Sequence, residues 1–192
     1  MPVDDPIAMF SELFERASRE CAEPNAMVLS TVDADGRPSG RYVLLKDVDA
    51  RGFVFYTNLG SRKARALEAN PHAALTFYWP PLDKQVRVEG DVERVSEAEA
   101  DAYFATRPRE SQIGAWASKQ SASLASPASL DERVREVRDR FDGAPVQRPP
   151  FWSGFRVVAR SIEFWTRDPD RLHERVIFQR RNGDWERSLL FP

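Results

Sequence analysis

Apolar positions recur along this chain in two rhythms, one near the helical repeat and one strictly alternating. Ile7, Phe10, Phe14, Ala17 and Cys21 follow helical spacing behind Asp5-Pro6, a pair suited to a helix cap and first turn, and predict an N-terminal helical segment within residues 1–24. Ala26–Val32 predicts a strand that ends in the turn Asp33-Ala34-Asp35-Gly36. Two runs rich in Val, Leu, Phe and Tyr then flank Asp47–Gly52, the first beginning at Arg41, and predict an antiparallel hairpin. A short helix from Ser61 to about Asn70 follows. His72–Trp79 and Lys84–Arg94 form a further strand pair around Pro80-Pro81-Leu82-Asp83. In the second of these, Val86, Val88 and Gly90 alternate with Gln85, Arg87 and Glu89, which gives one polar face.

Ser96-Glu97-Ala98-Glu99 is a capping box that opens a helix to about Arg107, where Pro108 limits it. A Ser/Ala-rich loop, Ser118–Ser129, precedes an amphipathic helix with Val134, Val137 and Phe141 inward. After the Pro-marked connector Gln147–Pro150, three strands close the chain. They run from about Phe155 to Val158 and on through Ile162 to Trp165, then His173–Gln179, then Trp185–Leu190, with Asn182-Gly183 as the last hairpin turn. Strands outnumber helices and pair mainly as hairpins. The expected fold is mainly β (α+β), an antiparallel barrel with peripheral helices, in a single domain over residues 1–192 whose part from about 145 onward supplies the closing strands.

The 192 residues suit one domain that buries roughly 70% of its unfolded surface. A net charge of −2 argues against general nucleic-acid binding. Of 28 cationic residues only Lys46, Lys63, Lys84 and Lys119 are Lys; Arg suits bidentate phosphate recognition, and a compositional bias accounts for the excess equally well. Cys21 is the one cysteine and His72 and His173 the two histidines, so neither a disulfide within the chain nor a metal cluster is expected. No apolar run approaches 18 residues and MPVDDPIAMF lacks signal-peptide character, so no membrane partner and a cytoplasmic location are expected. GxGxxG and GxxxxGKS are both absent, which argues against Rossmann and P-loop nucleotide sites.

Candidate chemistry concentrates in three places. Asn58-Leu59-Gly60-Ser61-Arg62-Lys63 is a loop that opens a helix, where N–H groups, a hydroxyl and two cations suit a phosphate; Arg41 and Lys46 bracket the strand before it. A solvated hairpin with ordinary surface charge fits the same residues. Arg41 and Lys46, five apart, would face opposite ways on a regular strand, so a shared ligand requires a bulge, a strand end or a dimer groove. Tyr103, Arg107 and Ser111 are spaced by four and make either a phosphate cradle or a polar solvent face, with Ser111 reaching in from the turn beyond Pro108. Arg171 and His173 are two apart at a strand entrance, with Leu172 facing away and Arg175 continuing their row; a substrate-facing row and a charged protective edge both fit.

The strings RYVLLK, FYTNLGSRKA, RPRESQIGAWASKQS, RPPFWSGFR, IEFW and RLHER, in that order over about Asp5–Pro192, resemble the pyridoxamine 5′-phosphate oxidase family. The resemblance implies a split β-barrel that binds FMN and works as a homodimer. It assigns FMN to Arg41, Tyr42, Val43, Leu44, Leu45, Lys46, Tyr56, Thr57, Arg62, Lys63, Gln85, Gln120, Ser121, Trp165 and Arg175. It gives the substrate to Lys46, Tyr103, Arg107, Ser111, Arg171, Leu172 and His173, with Arg171 and His173 acting in catalysis. The implied reaction oxidises pyridoxamine or pyridoxine 5′-phosphate to pyridoxal 5′-phosphate, with O2 as acceptor and hydrogen peroxide as product. A related oxidase acting on a phenazine precursor, or a flavin- or pyridoxal-phosphate-binding module without turnover, are the alternatives. The sequence departs from the family pattern in starting almost at the first helix, without the basic, Tyr-containing extension, in Ser153 where a glycine is usual, and in Leu189 where an Arg is usual.

Overall fold

The Asp5 carboxylate accepts from the Ile7 N–H at 2.9 Å and starts helix α1, Pro6–Glu20. The computed structural model describes residues 5–192; residues 1–4, the start of the expected 1–24 segment and of the stretch read for a leader, lie outside the described residues. Phe10 points from α1 into the barrel, edge-on to Phe53 and Phe77 with ring centroids 4.8 and 5.0 Å away, so the helix plugs one barrel end.

The strands are β1 (Ala26–Val32), β2 (Pro38–Leu44), β3 (Asp47–Asp49), β4 (Gly52–Asn58), β5 (His72–Trp79), β6 (Lys84–Arg94), β7 (Trp152–Thr166), β8 (Glu174–Arg181) and β9 (Asp184–Leu190). All pairs are antiparallel, in the order β2-β1-β5-β6-β7-β4-β3, with β8 on β7 and β9 on β8. The mainly β architecture expected from the sequence is the one observed.

One expected pairing is different. The run from Arg41 pairs with β1, Val28 opposite Tyr42, and only the short β3 reaches β4. The chain changes partner at Leu45–Lys46, where the Leu45 N–H goes to the Asn25 carbonyl (2.8 Å) and the Lys46 N–H to that of Val54 (2.9 Å). Alternation states which face of a strand is buried but not which strand lies beside it. This crossover links the two ends of the sheet order, β2 and β3, through the chain. It also ends the strand between Arg41 and Lys46, which removes the parity conflict between them.

β7 carries the architecture. Its first part, Trp152–Val157, pairs with β4; its second, Ser161–Thr166, pairs with β8 on the same edge; β6 follows the other edge throughout. At the changeover the β6 register slips between Glu89 and Gly90 and leaves Arg160 as an extra residue. The backbones approach so closely there that a Cβ on Gly90 would stand 2.1 Å from the Val158 oxygen, and one on Gly52 2.2 Å from that of Val157. Only glycine fits either position.

Four more helices decorate the barrel: α2 (Arg62–Ala69), α3 (Glu97–Thr106), α4 (Arg109–Ala117) and α5 (Pro127–Arg140). Helix α4 stands where the sequence suggested no element, and α5 begins inside the expected Ser/Ala loop because Ser126 caps it and Pro127 fits its first turn. On β4 and β7, Phe53, Phe55, Phe155 and Val157 face the barrel core, while Tyr56 and Trp152 face a second apolar cluster built from Phe104, Ile113 and Val146.

Candidate functional site

A cleft of about 680 Å³ opens between β2, β4 and the paired helices α3 and α4. Its floor is a group of three near-parallel aromatic rings. Tyr56 has its centroid 4.1 Å from Tyr103 and 5.3 Å from Trp152, at interplanar angles of 16° and 6°, and those two rings are themselves 6.2 Å apart. Arg107, at the end of α3, lies over the Trp152 ring at 4.8 Å. Its Nη1 is buried and has no hydrogen-bond partner among the described residues. Burial pushes this guanidinium down from its ordinary pKa, with the Tyr103 phenol acting weakly against it. An unpaired buried cation stacked on an aromatic plane is receptive to an anion. Tyr103, Ser111 and Lys46 line the same cleft, and Lys46 Nζ stands 6.0 Å from the Tyr103 ring centre. Ser111 arrives from the second turn-forming helix, α4, as the break at Pro108 requires.

A second cationic group borders this cleft at the start of α2. Lys63 Nζ donates to Thr57 Oγ1 at 3.1 Å, and Thr57 Oγ1 donates to Gln120 Oε1 at 3.1 Å. The Ser121 hydroxyl accepts from the Arg62 N–H at 3.1 Å, with Ser121 itself at φ 71°. One of the N–H groups expected to face a phosphate is therefore already occupied. Arg41 is held by neutral acceptors only, the Leu29 carbonyl (2.8 Å), Thr31 Oγ1 (2.9 Å) and Ser39 Oγ. Burial pushes the Lys63 ammonium down and Arg41 adds to the effect; burial likewise lowers Arg41, with Arg62 adding to it. Arg62 has a carboxylate no nearer than Asp33, at 3.9 Å. Arg41 and Lys63, half-buried cations without a close anion, fit a terminal phosphate group. Tyr42, Val43 and Leu44 line the cleft wall between the two groups, and Leu45 turns its side chain into the core, leaving only backbone to a ligand.

The remaining expected residues lie elsewhere. Gln85 and Trp165 are paired across β6 and β7, and Trp165 and Arg175 across β7 and β8. The Arg175 guanidinium is fixed by Glu163 (2.7 Å), which raises its pKa, and by the Phe191 carbonyl (3.0 Å). His173 lies against Trp165 with ring centroids 4.6 Å apart, and its Nδ1 accepts from the Asp168 N–H at 3.1 Å. The alternating row expected through Arg171, His173 and Arg175 is not formed: β8 begins at Glu174, and Arg171 sits at φ 64° in the turn closed by its N–H to the Asp168 carbonyl. Leu172 is exposed beside it. None of Gln85, Trp165, Arg171, Leu172, His173 or Arg175 lines the cleft that holds Tyr103 and Arg107.

The sequence reading assigned no role to Trp152, on which Arg107 rests, nor to Asn58 and Ser118, which are joined at 3.1 Å and hold the loop carrying Gln120. An apolar run offers no signal separating a ring that supports a cation from a core ring. Ser153, the departure from glycine, pairs with Thr57 across β4 and β7, and its hydroxyl is buried without a partner.

A curled antiparallel barrel sheet whose longest strand serves two neighbours on one edge, with an anion-receptive cleft under paired helices, places the molecule among the split-barrel proteins. Residues 14–141 match the family described as pyridoxamine 5′-phosphate oxidase, and residues 152–192 match the pyridoxine 5′-phosphate oxidase C-terminal dimerisation region. The chain belongs to the pyridoxamine 5′-phosphate oxidase family. It is 60% identical over 189 residues to a pyridoxine/pyridoxamine 5′-phosphate oxidase of Myxococcus xanthus, covering 98% of this chain and 92% of the relative. A protein of the same name from Rubrobacter xylanophilus is 57% identical, with 98% and 87% covered. Among solved structures, PhzG from Burkholderia lata 383, in complex with tetrahydrophenazine-1-carboxylic acid, superposes with a TM-score of 0.94 at 31% identity over 100% of this chain and 94% of that one.

Proposed function

We propose that the protein is an FMN-dependent pyridoxine/pyridoxamine 5′-phosphate oxidase, each chain acting as one FMN-binding domain of a homodimer in the cytoplasm. The observation that carries the reading is Arg107, a half-buried guanidinium whose Nη1 has no hydrogen-bond partner among the described residues, in a cleft shared with Tyr103, Ser111 and Lys46. These side chains together supply the cation and the hydroxyl donors that a phosphomonoester needs, and so hold the substrate phosphate. The family membership and the 60% identity to a named oxidase support the same reading. So does the match of residues 152–192 to a dimerisation region, because that region carries Trp165, Arg171, His173 and Arg175.

Lys63, Arg41, Arg62 and Thr57 would hold FMN, which would supply the hydride acceptor and the route for the electron pair to dioxygen. The alcohol substrate plus O2 gives the aldehyde and H2O2; the amine plus O2 and water gives the aldehyde, ammonia and H2O2. The chain's own task is placement. Lys63 and Arg41 would neutralise the flavin phosphate, and the backbone of Val43–Leu45 would be left to the ring. Arg107, Tyr103 and Ser111 fix the far end of the substrate, so that its reactive carbon sits against the flavin. His173 has its Nδ1 committed as an acceptor from Asp168, so in the neutral ring the proton resides on Nε2. That N–H is a donor for the substrate's ring oxygen, and Arg171 supplies charge beside it. Both come from the partner chain, across the dimer groove.

Peroxide release with pyridoxamine phosphate, pyridoxine phosphate and a reduced phenazine carboxylate tests the assignment. Turnover of the two vitamers and not of the phenazine is expected. The phenazine as sole substrate would place the protein with the structural neighbour instead.

A further inference from the structure

Arg156 is the most deeply buried charge in the described barrel, 2% exposed, and it lies outside the cleft. It projects from β7 on the face that carries Trp152 and meets carboxylates from separate elements: Glu99 of α3 at 2.6 Å, Asp49 of β3 at 3.1 Å and Glu93 of β6 at 3.6 Å. Arg51 adds a second, exposed cation that bridges Asp49 and Glu99. Glu99 divides its carboxylate. Oε2 accepts from the Ser96 N–H and hydroxyl at 3.0 and 2.9 Å, which caps α3, while Oε1 is given to Arg156 and Arg51. A helix cap needs only the first of these. The second locks the rotation of α3 about its axis to the barrel strand beneath it.

Glu99, Tyr103 and Arg107 stand four apart, on one face of α3. The Tyr56 hydroxyl, in the floor of the cleft, donates to the Glu99 carbonyl at 3.4 Å. The other end of the helix is held from α4, where Gln112 Nε2 donates to the Phe104 carbonyl at 2.9 Å. The helix is thus pinned at both ends, and the pin at its start is an ion pair whose guanidinium is buried and whose carboxylate is partly exposed.

We propose that the Arg156–Glu99 pair is a positioning device for phosphate recognition: it sets the rotation of α3 that brings Tyr103 and Arg107 to the substrate phosphate. The proposal rests on the reading of Arg107 as the phosphate ligand. Loss of the pair turns the two side chains together, so recognition of the phosphate suffers while the flavin site, built on α2 and β4, does not.

The test uses the FMN-loaded enzyme and measures binding of pyridoxal 5′-phosphate and of pyridoxal by calorimetry, together with kcat and KM. Four variants are compared: Arg107→Leu, Glu99→Gln, Asp49→Asn and Ser96→Ala. Glu99→Gln is expected to weaken pyridoxal 5′-phosphate by about tenfold and to raise KM, with binding of pyridoxal and of FMN unchanged. Asp49→Asn, which loosens Arg156 from the barrel side, is expected to act in the same direction and serves if Glu99→Gln does not fold. Ser96→Ala removes the hydroxyl bonds of the cap but leaves the Ser96 N–H bond and the Oε1 contact, and is expected to lower melting temperature without altering the preference for the phosphorylated ligand. If Arg107→Leu keeps full affinity for pyridoxal 5′-phosphate, the phosphate reading itself fails. If Arg107→Leu loses affinity while Glu99→Gln and Asp49→Asn keep it, or if Ser96→Ala loses as much as Glu99→Gln, the positioning role is overturned and the network is structural only.

Discussion

Trp152 and Trp165 stand near opposite ends of the same strand, β7, separated by about 40 Å of backbone at roughly 3.3 Å per residue. The first floors the cleft with Arg107, and the second backs His173 and neighbours Arg175. One chain therefore carries two separate groups of candidate site residues and joins neither to the other.

A two-fold dimer that pairs the half-sites makes a specific expectation for mixed variants. Lys63→Ala and Arg175→Ala damage opposite halves of the same composite site. Each homodimer alone should be poorly active. Co-refolded in equal amounts, heterodimers form that contain one doubly damaged site and one intact site, and about a quarter of wild-type activity returns. No recovery on mixing, with heterodimers demonstrated by mass, would mean that each site is built within one chain.

Lys63→Ala removes a cation that burial and Arg41 both disfavour. The variant should bind FMN more weakly by about 1.5–3 kcal/mol, one charge-assisted hydrogen bond, and the flavin-free protein should melt no lower than wild type. The same residue sets a pH dependence. An anionic phosphate prefers protonated Lys63, whose pKa is lowered before FMN binds, so affinity should hold at neutral pH and fall as pH rises through that lowered value. Fluorescence titration of FMN across the alkaline range checks both statements.

Arg171→Leu and His173→Leu should retain FMN and the dimer and lose roughly 10²-fold in kcat/KM for pyridoxine phosphate, because a reacting carbon displaced by about 1 Å transfers hydride poorly. Stability should change by no more than about 0.5 kcal/mol for the exposed Arg171. Steady-state peroxide assays beside thermal melts distinguish this from a protective strand edge, whose loss would leave turnover near normal.

Glu99 and Asp49 both lie below their ordinary carboxylate values. For Glu99 the leading cause is the hydrogen bond from the Ser96 N–H; for Asp49, burial opposes the shift and the hydrogen bonds from Arg51 outweigh it. A carboxyl depressed in the folded state adds stability that is complete above its unfolded value, about 4. That stability is lost as pH falls through the folded value. The melting temperature should therefore drop on acidification below about pH 4, and Glu99→Gln should lower it at neutral pH while flattening that acid limb. Parallel acid limbs in the two proteins would remove Glu99 from the linkage.

Much of this was legible in the sequence, and the illegible part has identifiable physical origins. Period-two patterning located the strands, and Ser96/Glu99 and Asn182-Gly183 announced a cap and a turn through chemistry confined to a few neighbours. The partner of β2 was not legible, because Tyr42 and Leu44 alternate with Arg41 and Val43 whichever strand lies beside them. Helix α4 escaped notice because Pro108 serves as its cap residue and its apolar face, Ile113, Ala115 and Ala117, is short. The expected row from Arg171 to Arg175 broke for a local reason: Asp168 binds the N–H groups of Asp170 and Leu172 and forms a turn where alternation was assumed. Arg107 and Lys63 came from spacing and resemblance. What spacing could not supply is that burial leaves each without a close carboxylate.

The double duty of β7 governs how the molecule is made. Phe53 waits for Val157, and Val88 waits for Ile162, so β4 and β6 each keep an unpaired apolar edge until the last part of the chain emerges from the ribosome. Such edges invite pairing with other nascent chains, and contacts this distant in sequence form slowly. A transcript truncated before Trp152 would thus yield a fragment with two adhesive borders and no means to seal either, whereas one late strand seals both together.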